Sequence, residues 1–136
     1  MEAGLTIEIV DPDYDYLGLQ ISARNRRFSG SARVLASYEA LPELASRIAG
    51  FPCGKQDDRT FEFGNLEGAD GFCRLHFRCH DHAGHAFVDV FVKDAEFGEH
   101  AQIRLWTEAA AIDRFIDDLR RLQHDHSSLA TLSVAE

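Results

Sequence analysis

The chain has 136 residues, of which 45% are hydrophobic and 27% are charged, a composition typical of one soluble globular domain. Its 23 acidic side chains outnumber the 14 basic ones, and the net charge of −9 argues against nucleic-acid phosphates and anionic membranes as partners. No apolar run approaches the ~20 residues of a membrane helix, and the acidic start does not fit a signal peptide, so we expect a cytoplasmic protein with no membrane partner.

Apolar and polar residues alternate along the first third of the chain, a period of two that is typical of strands with one buried face. The pattern predicts strands over residues 5–10, 17–24 and 28–37. A helix is predicted over residues 41–49, where Pro42 suits the first turn and the apolar residues recur at helical spacing.

The second half of the chain continues the alternation and ends in a longer helix. Strands are predicted over residues 59–64 and 101–106, with a hairpin over residues 71–93 between them. Residues 108–123 carry apolar side chains on one helical face and charged ones on the other. Residues 124–136 lose the period and are predicted to form a flexible C-terminal tail.

The predicted fold class is α+β, with the element order β-β-β-α-β-β-β-β-α. We expect a single antiparallel sheet of about six or seven strands with two helices packed against it. Residues 1–123 then form a single globular domain, followed by the tail.

Most of this predicted fold depends on the hairpin over residues 71–93. A two-residue turn at residues 83–84 pairs Phe77 with Val90 on an apolar face, and Arg78 with Asp89 on the other face. The apolar face is expected to lie on the core.

Three histidines of the same turn are the candidate metal ligands. The predicted register brings His80, His82 and His85 to one face near the tip, where imidazoles can bind zinc. Their spacing matches no standard zinc motif, and Asp81 and Gly84 have ordinary turn roles. Incidental surface histidines are therefore the favoured interpretation, and we predict no metal and no other cofactor.

Four arginines form the basic cluster of the chain: Arg24, Arg26, Arg27 and Arg33, with Phe28 among them. An arginine-aromatic patch on a sheet can bind RNA. Because the net charge is −9 and the signature of a known RNA module is missing, we interpret the cluster as a solvated face paired with nearby carboxylates. No nucleic-acid partner is expected.

Motifs for catalysis are missing from the sequence. There is no P-loop, no nucleophile elbow, no dinucleotide fingerprint and no zinc-protease motif. Cys79 and His80 point to opposite faces of one strand, so they cannot form the hydrogen bond that a cysteine nucleophile needs. Cys73 and Cys79 lie about 20 Å apart on that strand and cannot form a disulfide. We expect reduced thiols and no enzyme activity.

Two segments carry a family resemblance. One is H-D-x-x-G-H followed by an alternating strand, residues 80–92; the other is a strand that leads into a helix with Phe115, Ile116 and Leu119. Over residues 59–122 the chain resembles the WapI family of small bacterial immunity proteins. The resemblance implies a cytoplasmic, non-enzymatic protein that binds and neutralises a cognate bacterial toxin.

An acidic surface suits a basic toxin, because charge complementarity steers association. Tyrosines beside acidic residues add aromatic anchors of the kind found in interfaces. The candidate partner-binding residues, in or near predicted loops, are Asp11, Asp13, Tyr14, Asp15, Tyr16, Asp57, Asp58, Glu62, Glu67 and Asp70.

Two other functions are compatible with the sequence. The chain can be a small-ligand or metal-binding domain that uses the histidine-rich turn 80–85 and the face of Phe87 and Phe91. It can also be a structural subunit of a homo-oligomer such as a homodimer.

Overall fold

The structure, a computed structural model, describes residues 3–12 and 15–134. Within these residues the chain forms eight strands and two helices. They are β1 (Gly4–Pro12), β2 (Leu17–Arg24), β3 (Ser29–Ala36), α1 (Ala40–Ile48), β4 (Asp58–Phe63), β5 (Phe72–Cys79), β6 (His85–Lys93), β7 (His100–Glu108), α2 (Ala109–His124) and β8 (Ala130–Ser133).

The strands form two antiparallel sheets of four strands each. The first sheet has the order β3-β2-β1-β8, and the second sheet has the order β4-β5-β6-β7. The prediction of a single sheet of six or seven strands is therefore wrong. Alternation identifies strands with one buried face, but it does not say which strands pair. The strands before and after α1 alternate in the same way, so the sequence pattern does not show that a second sheet begins there.

Both sheets and both helices share one hydrophobic core. β3 packs against β5, β6 and β7, while α1 and α2 contact each other. On β5 the core side chains are Cys73, Leu75 and Phe77, all fully buried. The core thus occupies one face of the second sheet, and the intervening residues point away from it.

Part of the predicted tail is a strand. Residues 130–133 form β8, which pairs antiparallel with β1, so residues 124–136 are not a flexible tail throughout. Ala130 and Leu132 are fully buried. Two apolar residues at a spacing of two are too few to establish a period, and the pairing partner lies more than a hundred residues earlier in the chain.

The β5–β6 hairpin turns in a different register from the predicted one. Phe77 pairs with Val88 and not with Val90, because the connection spans residues 80–84, with Gly84 at a φ of 86°. The shift is two residues, an even number, so each side chain keeps its predicted face. The apolar face is as predicted, and the individual cross-strand pairs are wrong.

The second helix is amphipathic. Ile112, Phe115 and Leu119 are buried, while Arg114 and Arg120 are exposed. With 16 residues it is the longer of the two described helices. In the described part of the chain, no helix has both the length and the apolar content needed to cross a membrane.

Candidate functional site

The candidate site is the face of the second sheet that points away from the core, here called the outer face. Strand pairing arranges its side chains in rows that run from β4 to β7. The rows are Asp58, Arg78, Phe87 and Trp106; Thr60, His76, Asp89 and Arg104; Glu62, Arg74, Phe91 and Gln102; and then Phe72, Lys93 and His100. Arginine and aromatic side chains are concentrated on the three strands β5, β6 and β7.

Phe87 is the centre of an arginine-aromatic cluster on this face. The guanidinium carbons of Arg78 and Arg104 lie 4.5 Å and 4.3 Å from the centroid of its ring, within cation–π range. The ring of Trp106 lies 5.1 Å from that of Phe87, and the ring of His80 lies 5.0 Å from that of Trp106. Trp106 is 40% exposed, so a planar ligand can reach its indole.

Asp89 fixes the two arginines of this cluster. Although only 7% exposed, it accepts hydrogen bonds from Arg104 Nε at 2.8 Å and Nη2 at 3.1 Å, and from Arg78 Nη2. Burial alone would raise the pKa of Asp89, but the hydrogen bonds and charges of the two arginines outweigh burial and lower this pKa. The same contact raises the pKa of Arg104. The carboxylate is ionised at neutral pH and holds both guanidinium groups beside Phe87.

Arg78 keeps one donor unused. Its Nε is buried and has no hydrogen-bond partner among residues 3–12 and 15–134. The side chain as a whole is 35% exposed. Burying a donor without a partner costs free energy, so the position of this guanidinium group is stabilised mainly by Asp89 and Phe87.

A second arginine-aromatic group lies at the other end of the outer face. The guanidinium carbon of Arg74 is 5.7 Å from the ring centroid of Phe91 and 5.3 Å from that of Phe72. The ring of His100 lies 5.5 Å from that of Phe91. Arg74 Nε also donates to Glu62 Oε2 at 2.8 Å.

The outer face is balanced in formal charge, unlike the chain as a whole. It carries four cationic side chains, and Asp89 and Arg74 show that part of this charge is paired within the face. The cations are Arg74, Arg78, Lys93 and Arg104, and the carboxylates are Asp58, Glu62, Asp89 and Glu108.

The loop of residues 24–28, between β2 and β3, lies against β7 although its strands belong to the first sheet. Asn25 Nδ2 donates to the backbone carbonyl of Arg104 at 3.1 Å. Asn25 Oδ1 accepts from the backbone N–H groups of Arg27 and Phe28 at 2.9 Å and 2.8 Å. This loop, the 24–28 loop, is therefore fixed beside the outer face.

The arginines of the 24–28 loop are unpaired. Arg24, Arg26 and Arg27 are exposed, and their side chains have no hydrogen bond or ion pair with any residue the structure describes. The same holds for Arg33 on β3. The expectation that this cluster is paired with nearby carboxylates is therefore wrong for the described residues.

Three of the predicted partner-binding residues are engaged inside the protein. Asp57 binds Arg59 at 2.8 Å, and this hydrogen bond lowers the pKa of Asp57. Asp58 binds His76 at 2.7 Å and Glu62 binds Arg74 at 2.8 Å. Each of these carboxylates has a partner within the chain, while about half of Asp58 and of Glu62 stays exposed, at 55% and 48%.

The other predicted partner-binding residues lie apart from these three. Asp70 and Tyr16 line one cavity of about 370 Å³. Asp11, Asp15 and Glu67 are exposed, and no described contact joins them into one surface. Asp13 and Tyr14 lie outside the described residues.

The three histidines of the β5–β6 turn do not form a metal site. His80 packs on Trp106, and His85 Nδ1 lies 2.7 Å from Asp81 Oδ2. His82 is exposed. Within the described ranges, no three histidine, cysteine or acidic side chains converge in a geometry that could hold a metal ion.

Comparison with solved structures found several similar chains, among them two WHY proteins. No protein-family model matches the chain, and no curated protein matches it in sequence. The crystal structure of WHY3 from Arabidopsis thaliana has a TM-score of 0.48 at 12% identity, over 92% of this chain and 82% of that chain. WHY1 from the same plant has a TM-score of 0.48 at 14% identity, over 90% and 80%.

These findings correct the predicted function. Neither similar structure is named as an immunity protein, and the acidic residues on which the prediction depended are partly paired within the chain. The predictions of a toxin-neutralising immunity protein, of a cognate toxin as partner and of no nucleic-acid partner are wrong. The resemblance to the WapI family stays a prediction.

Sequence reasoning missed the outer face as a whole. It identified the face of Phe87 and Phe91, and separately the arginines of residues 24–27, but it did not bring them together. The available signal was the presence of Arg74, Arg104 and Trp106 at solvent-side positions of their predicted strands. Joining them requires β7 to pair with β6 and the 24–28 loop to lie on β7, which are long-range contacts.

Proposed function

We propose that the chain is a non-enzymatic protein that binds a single strand of nucleic acid on the outer face. The observation that carries the proposal is the exposed ring of Trp106 beside Phe87, with the guanidinium groups of Arg78 and Arg104 fixed by Asp89. Unstacked bases pack on aromatic rings and on guanidinium planes. Arginine also binds phosphate oxygens through charge-assisted hydrogen bonds.

A single strand fits this surface better than a duplex. In a duplex the flat surfaces of the bases are covered by their neighbours, whereas a single strand can turn them toward Trp106 and Phe91. Duplex binding depends on many phosphate contacts, whereas the chain has a net charge of −9 and its outer face carries equal numbers of cations and carboxylates. DNA and RNA share the chemistry that this surface would recognise, and a test with both kinds of strand distinguishes them.

The proposal includes the location of the protein, which is a reducing compartment. Cys53, Cys73 and Cys79 are all free thiols, and proteins of oxidising compartments commonly form disulfides. Burial raises the pKa of the Cys73 thiol, which makes it a poor nucleophile. We therefore place the protein in the cytoplasm and assign it no catalytic cysteine.

The test uses labelled single strands of about 12 nucleotides, within the site sizes known for sheet-based binders. We expect the protein to bind oligo-dT or oligo-U by fluorescence anisotropy. Replacing an aromatic residue that stacks on a base costs about 1–3 kcal/mol, so Trp106→Ala should weaken binding by about 5- to 150-fold. A duplex of the same length should bind more weakly than either single strand.

Phe97→Ala is the matched control. Phe97 is 74% exposed and lies between β6 and β7, outside the outer face, so its loss should leave binding unchanged. Equal weakening by both variants would contradict the proposal, as would preferential binding of the duplex. If no strand binds and light scattering shows a dimer that Trp106→Ala dissociates, the outer face is a self-association surface instead.

A further inference from the structure

The 24–28 loop lies at the free edge of β7, beside the outer face. We propose that Arg24, Arg26 and Arg27 bind the phosphates of the same single strand whose bases stack on Trp106, so that the strand runs across β7 onto this loop. The inference rests on the proposed function. It adds a second subsite, specific for phosphate.

Position supports this continuity. Asn25 Nδ2 bonds the carbonyl of Arg104, whose side chain touches the ring of Phe87. A Cβ added to Gly30 would lie 3.1 Å from Ile103 Cδ1 and 3.2 Å from Ala101 Cβ. These two side chains lie on the core face of β7, so the start of β3 packs beneath that strand. The Asn25 bond then holds the loop at the free edge of β7, next to the outer face.

The charge state of the loop supports the phosphate assignment. The guanidinium groups of Arg24, Arg26 and Arg27 have no partner in residues 3–12 and 15–134. Those of Arg78 and Arg104 share the carboxylate of Asp89. The loop therefore carries the unneutralised cations next to the site, while the arginines of the sheet are partly neutralised and suited to stacking.

Phe28 adds a ring to the same loop. It is 65% exposed, and its backbone N–H is held by Asn25 Oδ1. An exposed aromatic residue next to arginines in the chain is a combination that binds both base and phosphate. The loop can therefore hold the strand after it leaves Trp106.

The experiment compares two double variants that remove the same charge. Arg26→Ala/Arg27→Ala removes two cations of the loop, and Arg114→Ala/Arg120→Ala removes two exposed cations of α2. Each phosphate contact with a single strand contributes about 0.7 to the slope of log K against log salt. For a strand of about 12 nucleotides the loop variant should reduce the steepness of this slope by about 1.4. The α2 variant should change the steepness much less.

Strand length separates the loop from the sheet. With a strand of about 4 nucleotides, which covers the sheet alone, the two double variants should differ little. The charge-preserving Arg26→Lys/Arg27→Lys variant should keep most of the slope, because Lys is also a phosphate-binding cation.

The inference fails if the loop variant leaves the slope of the longer strand unchanged, or if the α2 variant lowers it equally. In that outcome a loss of binding in Trp106→Ala would still support the proposed function. If the wild-type chain binds no strand of either length, both are wrong. Circular dichroism of each variant shows that the fold is retained.

Discussion

At the scale of single residues, Asp89 orients the two central arginines of the outer face. Its carboxylate is buried in the centre of the second sheet, and its two partners reach solvent, with 35% of Arg78 and 47% of Arg104 exposed. These two ion pairs contribute less to the free energy of unfolding than fully buried ones would, because water screens the guanidinium groups. The clearer role of Asp89 is to hold two long side chains in one orientation.

Asp89→Asn should lower the free energy of unfolding by about 1–3 kcal/mol near neutral pH, because it weakens charge-assisted hydrogen bonds that are partly buried. The pKa of Asp89 is lowered by folding, so its contribution is present above the unfolded pKa of about 3.9 and is lost as pH falls through the folded pKa. The difference between wild type and variant should therefore narrow on acidification. Urea unfolding at about pH 7 and about pH 3 measures it.

Asp113→Asn is the control for this prediction, since Asp113 is exposed on α2. It should change the stability little at either pH. A destabilisation by Asp89→Asn of equal size at both pH values would show that the charge of Asp89 is not the cause.

Sequence reasoning recovered half of this cluster. It predicted that Arg78 and Asp89 meet, and the two form an ion pair although they are not directly opposite in the observed register. It could not predict Arg104, because the pairing of β6 with β7 depends on contacts across a loop whose residues do not fix a register.

At the scale of secondary-structure elements, β8 shows how little sequence a strand needs. Its four residues complete the first sheet beside β1, and the side chains of Ala130 and Leu132 enter the common core. α2 also contacts β8. The strand therefore links the first sheet to the longer helix.

Leu132→Ala should destabilise the protein by about 2–5 kcal/mol, because it leaves a cavity in the core. Leu129→Ala, three residues earlier and 49% exposed, should change the stability by about 0.5 kcal/mol or less. Chemical denaturation of both variants makes the comparison. Similar small effects would mean that β8 is not needed for the fold.

Elements were predicted better than their arrangement. The period of two located seven strands, because each has one face on the core, and helical spacing located α1 and α2. The predicted hairpin register was wrong by two residues, yet the residues of β5 and β6 were assigned to their correct faces, because face depends only on even or odd position. The division into two sheets and the presence of β8 depend on contacts between distant segments.

At the scale of the whole molecule, the shared core couples the two sheets. β3 of the first sheet contacts all four strands of the second, so neither sheet can keep a buried face if the other unfolds. The net charge of the whole chain, in contrast, is a poor guide to what one of its surfaces can bind. The value of −9 led to the expectation of no nucleic-acid partner, whereas the charge that matters for binding is local to a surface.

We expect unfolding in one cooperative transition. Trp106 is the single tryptophan of the chain and reports on the second sheet, while far-UV circular dichroism reports on all elements. The two signals should give the same midpoint in urea, and Leu132→Ala, in the first sheet, should shift both by the same amount. Separate midpoints would contradict a common core.

The hydrogen bond between Asn25 and Arg104 has another consequence. β7 is the last strand of its sheet, and the free backbone groups of such a strand can pair with a strand from another molecule. The side-chain amide of Asn25 donates a hydrogen bond to one of these backbone groups, the carbonyl of Arg104. A change at Asn25 would therefore do more than release a loop: it would unmask a template for strand-by-strand aggregation.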